Sequence, residues 1–341
     1  MTRSYTKILG AASVLAMTAA SVADAQEIRL RFAHYLADTA FLQVEKDFAE
    51  AVAERTDGRV QIDITFAGGL GAGPELLQLA GRGAVDMAAV VPGYHPDILD
   101  FWRTYQIPFI FNSPVEALEI SFSALEDLPV FAEELAQQGV RYLFHQPLGD
   151  YYFTGKDPNC DSVAALEGKR LRSFGADLPR MMSAIGAVPV TVPVPEVYEA
   201  LQRDAIDYST INRGNVLANR FYEVAPHNCG PVFSIAGHLI VIGERAWNRL
   251  SPDLQEILVE EARAAGEAYM AAIDDIESSA EEAIIEAGGS FRDFPEEELE
   301  KWRGMAPDPL DDWIETMAGM GMGDAAEEVA AYFREHTGQT D

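Results

Sequence analysis

The densest chemical signal in this chain is the run Leu166-Glu167-Gly168-Lys169-Arg170-Leu171-Arg172-Ser173-Phe174-Gly175. A glycine turn leads into a short strand over 169–173. Successive strand side chains alternate, so Lys169 and Leu171 share one face while Arg170 and Arg172 share the other. Apolar residues flank the strand on both sides. A guanidinium held there can grip a carboxylate through two parallel hydrogen bonds, which gives orientation as well as strength. A surface strand with solvated charges is the competing reading of the same spacing.

Other chemistries find less support. The histidines His34, His95, His145, His227, His238 and His336 are scattered without metal-ligand spacing, and no Gly-x-Ser-x-Gly elbow occurs. The residues build neither a catalytic centre nor a metal site, and no cofactor is expected. Gly69-Leu70-Gly71-Ala72-Gly73-Pro74 stands between a strand and a helix, as a dinucleotide-binding turn would. Proline replaces the last fingerprint glycine and no acidic partner ends the next strand, so a tight connecting loop is expected.

Acidic residues outnumber basic ones 55 to 25, for a net charge of −30. That balance argues against nucleic acid or anionic lipid as a partner. It would also repel an anionic ligand at long range, so any anion must be won by local positive groups inside a cleft. Residues 1–25 have the layout of a secretory signal: Arg3 and Lys7, an apolar run over 8–20, then Ala23-Asp24-Ala25 as a small-x-small cleavage site. The run is shorter than the roughly 20 residues a bilayer span needs. The expectation is a periplasmic protein with no direct membrane insertion, its mature chain starting at Gln26. Export leaves two readings of Cys160 and Cys229, a single disulfide or two unpaired structural thiols.

Strands and helices alternate from residue 28. Strands are expected over 28–34, 60–66 and 85–91, with an amphipathic helix over 38–55 carrying Phe41, Val44, Phe48 and Val52 on one face. Ser113-Pro114-Val115-Glu116 caps a helix expected to run to 138. Strands follow over 141–146 and 151–154, and then a second α/β set begins: strands over 169–173, 188–192 and 206–210, helices over 177–185 and 196–203. The restart suggests a second domain. After an apolar strand over 237–243, a helix opening at Ser251 meets almost no breaker before Gly288-Gly289. At 1.5 Å per residue it is too long for one small domain and must span both.

These landmarks together resemble the extracytoplasmic solute-binding subunits of tripartite ATP-independent periplasmic (TRAP) transporters, the DctP family. The resemblance rests on Gly58-Arg59-Val60, Gly69-Leu70-Gly71, Gly83-Ala84-Val85-Asp86-Met87-Ala88, residues 166–172, Pro195-Glu196-Val197-Tyr198-Glu199-Ala200-Leu201-Gln202, Ala205-Ile206-Asp207 and Ser251-Pro252-Asp253-Leu254-Gln255. It implies a two-lobed periplasmic binding protein fold of the α/β class. The first lobe would comprise 26–149 plus about 239–265, and the second 150–238 plus about 266–341, closing as a clamp on ligand. It implies that Arg172 grips a ligand carboxylate and that the partners are a small organic anion and the TRAP membrane permease subunits. A position that carries another arginine in some members is Tyr151 here, which argues against a dicarboxylate or sugar acid. The loop after Asp207 departs from the family's Gly-x-Glu. Asn212 falls near a polar ligand contact, and Arg213 either restores the missing charge or faces water.

Strand ends in the first lobe offer His34, Tyr35, Tyr94 and His95 to the cleft; Phe174 and His238 are second-lobe candidates. The aromatic bias suggests a monocarboxylate with an apolar or aromatic body, with a sulfonate or a zwitterion in an aromatic cage as alternatives. A periplasmic enzyme acting on a small acid and a ligand-sensing subunit are the rival functions.

Overall fold

The computed structural model describes residues 27–39, 42–234 and 237–338; the leader expected over 1–25 and Phe41 of the first helical stripe lie outside them. The described strands form two sheets. The first is built from β1 (Ile28–Ala33), β2 (Val60–Thr65), β3 (Met87–Val90), β4 (Val140–Gln146) and, much later in the chain, His238–Gly243. The second is built from β5 (Asp150–Gly155), β6 (Arg170–Ser173), β7 (Val188–Thr191), β8 (Tyr208–Asn212), β9 (His227–Ser234) and Ser290–Arg292. With His238–Gly243 as β10 and Ser290–Arg292 as β11, the orders are β2-β1-β3-β10-β4 and β11-β9-β5-β8-β6-β7.

Alternation sets the first sheet. Leu30 and Phe32 are fully buried while Arg29 and Arg31 point outward, and β1 pairs in parallel with β2 on one side and β3 on the other. All four residues of β3 are buried, as a strand covered on both faces requires. β10 then enters antiparallel between β3 and β4.

The chain crosses between sheets after β4 and again after β9, and the helix Pro252–Glu286 makes a third link. Its 35 residues span about 52 Å. It packs on the helix Gln43–Arg55 and β4 of the first lobe and on the helix Arg213–Ala218 of the second. At the first crossing, the Tyr269 hydroxyl donates to the Pro147 carbonyl. Gly149 has a positive φ of 90°, and a Cβ there would stand 2.6 Å from the Glu277 carboxyl carbon, so only glycine lets the hinge pass this helix.

Two segments differ from the sequence expectation. The helix expected over 113–138 is divided into Pro114–Asp127 and Pro129–Gln137. Pro129 cannot continue the helix, and Leu128 before it takes an extended conformation, φ −120° and ψ 96°. The segment 266–341, which the sequence reading places with the second lobe, is shared in its packing. β11 pairs with β9, and Trp302 stacks on Phe153 and donates to the Met181 carbonyl at 2.8 Å. Beyond Pro307, Trp313 instead donates to the Asp100 carbonyl at 3.1 Å, and Phe333 packs on Tyr105, Phe111 and Phe131. The last two helices, Pro309–Gly319 and Gly323–Thr337, thus cover the aromatic first-lobe segment 101–111.

Candidate functional site

Arg172 stands on β6 between β7 and β8 and is 1% exposed. Its Nε donates to the Val192 carbonyl at 2.9 Å and its Nη1 to the Thr210 carbonyl at 3.0 Å. Its guanidinium carbon lies 4.8 Å from the Phe174 ring centre. Two carbonyls and a ring hold the guanidinium in place, through Nε, Nη1 and its face. No carboxylate pairs with Arg172 among the described residues.

Arg170, two residues earlier on the same face, is answered by the chain itself. It donates from Nη2 to Asp207 Oδ1 at 2.7 Å, and the other carboxylate oxygen accepts from the Arg170 backbone N–H at 2.7 Å.

The first lobe meets Arg172 with Tyr94. Its ring is edge-on to Phe174 at 6.4 Å. Burial raises the pKa of the Tyr94 hydroxyl, while the nearby Arg172 guanidinium and hydrogen bonds to Val194 and Arg172 work the other way. Gln106 fixes the turn before Tyr94: its Oε1 accepts from the Gly93 N–H at 2.5 Å and its Nε2 donates to the Gly237 carbonyl at 2.6 Å. The lobes touch here, and a Cβ on Gly93 would come within 2.5 Å of Gln106 Oε1 and 3.2 Å of Phe174. An ion pair locks the same edge: Arg103 Nη1 of the first lobe lies 2.6 and 2.5 Å from the two carboxylate oxygens of Asp177 in the second.

Tyr151 and Asn212 are paired across β5 and β8, and Tyr151 stacks on Phe233 at 6.2 Å. Burial raises the Tyr151 pKa, with Arg172 opposing it. Asn212 caps the helix Arg213–Ala218: its Oδ1 accepts from the Asn215 N–H at 3.1 Å and from Asn215 Nδ2 at 2.7 Å. Its Nδ2 is fully buried without a hydrogen-bond partner. Such a donor is costly to leave unpaired.

Of the residues named from sequence, Arg172, Tyr94, Phe174, Tyr151 and Asn212 gather at one junction of the lobes. His34 and His238 lie one layer behind it, and His238, expected in the second lobe, instead opens β10 of the first sheet, paired with Gln146 of β4. Their rings are 5.1 Å apart, and both Nε2 atoms lie 3.1 Å from Glu45 Oε1. The Tyr35 hydroxyl, 3.3 Å from His238 Nδ1, connects this layer to the cleft. His95 is buried to one side, and burial lowers its pKa to about 4.

Arg213 neither lines the cleft nor faces water: it pairs with Glu277 at 3.4 Å and with Glu281, and lies over the Tyr152 ring at 5.0 Å. Cys160 and Cys229 are joined by a disulfide with a Cα separation of 5.7 Å, tying the loop after β5 to β9 behind the site.

Sequence reasoning passed over Glu45 and Gln106. Glu45 had a signal, since it shares the helical face of Phe48 and Val52 at spacings of three and seven. An apolar cavity of about 510 Å³, lined by Thr39, Leu217, Ala218, Ala272, Ile276 and Ala280, lies against the long helix and does not reach Arg172. No described helix is long and apolar enough to cross a membrane.

Two α/β lobes linked by several chain crossings and a long helix, with a buried arginine where they close, define a solute-binding clamp. The chain belongs to the bacterial extracellular solute-binding protein family 7 (DctP), whose family model matches residues 32–315. It is 26% identical over 332 residues to the C4-dicarboxylate-binding periplasmic protein DctP of Rhodobacter capsulatus, covering 95% of this chain and 97% of that one. Among solved structures, a marine metagenome TRAP solute-binding protein specific for aromatic acid ligands superposes with a TM-score of 0.82 at 20% identity, covering 92% of this chain and 100% of that one. A TRAP solute-binding protein of Rhodoferax ferrireducens in complex with copurified benzoate gives a TM-score of 0.81 at 20% identity, over 92% of this chain and 99% of that one.

Proposed function

We propose that this protein captures a small organic acid between its lobes in the periplasm and delivers it unchanged to TRAP membrane permease subunits, with no catalysis of its own. The observation that carries the reading is Arg172: a fully buried cation met by carbonyls and a ring but, among the described residues, by no carboxylate. A buried charge is expensive unless an opposite charge answers it. A ligand carboxylate on the Nη1–Nη2 end supplies that charge, and Asn212 Nδ2 is the nearby candidate for a second hydrogen bond.

Tyr94, Tyr151 and Phe174 bury the body of the acid. Because Tyr151 takes the place of a second cation, the favoured ligand is a monocarboxylate with an apolar or aromatic body. Structural neighbours hold benzoate and aromatic acids in some cases and hexuronates in others, so they support a small organic acid, and the apolar preference rests on Tyr94, Tyr151 and Phe174. Closure brings Arg103 onto Asp177, and the closed shape is what the permease recognises. In this reading the first lobe comprises about 27–149, 238–265 and the last two helices, and the second about 150–237 and 266–308.

The test is thermal unfolding of the protein, refolded to strip bound ligand, against a panel of carboxylic acids, sulfonates and zwitterions. A ligand at 1,000 times its dissociation constant adds about 4 kcal/mol of stability. The expected result is a rise in Tm confined to one class, monocarboxylates with apolar bodies. No shift with any acid would contradict capture.

A further inference from the structure

We propose that Tyr35 forms a wall of the acid site, that its hydroxyl donates to the bound carboxylate, and that His238 and Glu45 are positioning residues which turn this donor toward the cleft by taking up one proton with the anion. The proposal rests on Arg172 as the carboxylate anchor.

Tyr35 is 5% exposed, its ring lies edge-on to Tyr94 at 6.2 Å, Tyr94 is edge-on to Phe174 under the Arg172 guanidinium, and the Arg172 charge acts on the Tyr35 hydroxyl. It therefore fronts the space that the guanidinium faces. Behind it the contacts run from the Tyr35 hydroxyl to His238 Nδ1 at 3.3 Å, and from His238 Nε2 to Glu45 Oε1 at 3.1 Å.

The proton positions follow from one backbone contact. The Leu36 N–H donates to His34 Nδ1 at 3.0 Å, so that nitrogen carries a lone pair and no proton. The ring proton of His34 is then on Nε2, which donates to Glu45 Oε1 at 3.1 Å. His34 is a neutral donor. The same argument weighs against a cation held by His34, Glu45 and His238, although their ligand atoms lie within 4.8 Å of one another: His34 Nε2 has no lone pair to give it.

His238 is thus left to answer the Glu45 charge, and its Nδ1 is the nitrogen that titrates. When Nδ1 is bare it accepts the Tyr35 O–H, whose oxygen lone pairs then face an incoming anion. When Nδ1 takes a proton from solvent it donates to the Tyr35 oxygen, which frees the O–H to donate to the carboxylate. One proton is bound at His238 and none is released elsewhere.

The groups around His238 allow this. Glu45 comes from the helix Gln43–Arg55, His34 and Tyr35 from the end of β1, and His145 and Gln146 from β4; Tyr269 of the long helix lies near Glu45 and Gln146. Arg172 lies across Tyr35. Burial holds His145 neutral, its pKa lowered to about 3. Burial also lowers His238 in the ligand-free protein, with Glu45 opposing; a bound anion that takes the Tyr35 O–H leaves the Tyr35 oxygen to accept from Nδ1, and it is this contact that raises His238. Affinity is then full below the ligand-free pKa of His238, falls as pH rises toward the bound-state pKa, and levels off above it.

Calorimetric titration with benzoate, from about pH 5.5 to about 8.5 and in buffers of different ionisation enthalpy, reads this directly for the wild type and for Tyr35→Phe. The wild type should take up protons on binding benzoate and lose affinity as pH rises through part of that range, by at most about tenfold per pH unit. Tyr35→Phe, which removes only the hydroxyl, should bind with no proton uptake, a flat pH profile and about tenfold lower affinity at the acid end. Nitrogen-15 resonances of the ligand-free protein should hold His34 in the Nε2–H form throughout. Wild-type binding without proton uptake, uptake that persists in Tyr35→Phe, or a stoichiometric metal ion on elemental analysis overturns the proposal and leaves acid capture standing. No binding of benzoate at any pH overturns capture of aromatic acids, and this proposal with it.

Discussion

Arg172 and Arg213 lie in the same lobe, and each is stacked on an aromatic ring, at 4.8 Å from Phe174 and 5.0 Å from Tyr152. They differ in what answers the charge. Arg213 meets Glu277 and Glu281 of the long helix, and Glu277 Oε1 also accepts from the Gly214 N–H at 3.1 Å. Arg172 meets carbonyl oxygens, the Phe174 ring and the Tyr94 hydroxyl, and among the described residues no carboxylate. A buried cation neutralised by its own chain belongs to the fold. One held by carbonyl dipoles alone stays available to an anion from outside. Composition points the same way, since a chain with a net charge of −30 has ample carboxylates, and leaving Arg172 without one is a property of the site.

The comparison breaks most visibly if Arg213 is the residue removed. Arg213→Ala strands Glu277, 5% exposed, without its counter-charge, and should cost about 3 kcal/mol of stability in chemical denaturation at a pH above about 7, where that carboxylate is ionised. Arg172→Ala in the ligand-free protein should stay within about 1 kcal/mol of wild type, because it removes an uncompensated buried charge. Equal losses in the two variants would erase the distinction.

A smaller effect sharpens it. Burial holds the Glu277 pKa up at about 7, with Arg213 opposing. An acid whose folded-state pKa lies above its unfolded value binds more protons when folded. Its contribution is therefore full below about pH 4.5 and is lost as pH rises through about 7. His95 and His145, whose pKa values burial lowers to about 4 and about 3, act in the opposite sense up to about 6.5, where unfolded histidine titrates. The readout is accordingly the difference between wild type and Glu277→Gln. From about pH 5 to about 7.5 the wild type should lose about 1 to 2 kcal/mol more than the variant; parallel curves would contradict a protonated Glu277.

Much of this was legible in the residues. Period-2 alternation located β1, β2 and β6, and the absence of breakers located the long helix. Arg172 stood out because its strand is apolar around it. Glu45 was hidden for the converse reason: a carboxylate on a helix is ordinarily solvated, and only its register with Phe48 and Val52 places it inside. The shared packing of the C-terminal segment was also out of reach. Whether Trp302, Trp313 and Phe333 cover one lobe or the other depends on which aromatic surface lies opposite, and local periodicity carries no record of that. Nor does spacing show that Arg213 has partners, since Glu277 and Glu281 are more than sixty residues away.

The most direct test of the central claim is isothermal titration of wild type, Arg172→Lys and Arg172→Ala with the acid that raises Tm most in the panel. Losing a buried, charge-assisted contact should weaken Arg172→Ala by about a hundredfold or more, while the lysine variant keeps charge without the paired geometry and falls between. Wild-type affinity in Arg172→Ala would contradict the account, because the acid would then be held without the buried cation that no carboxylate answers among the described residues.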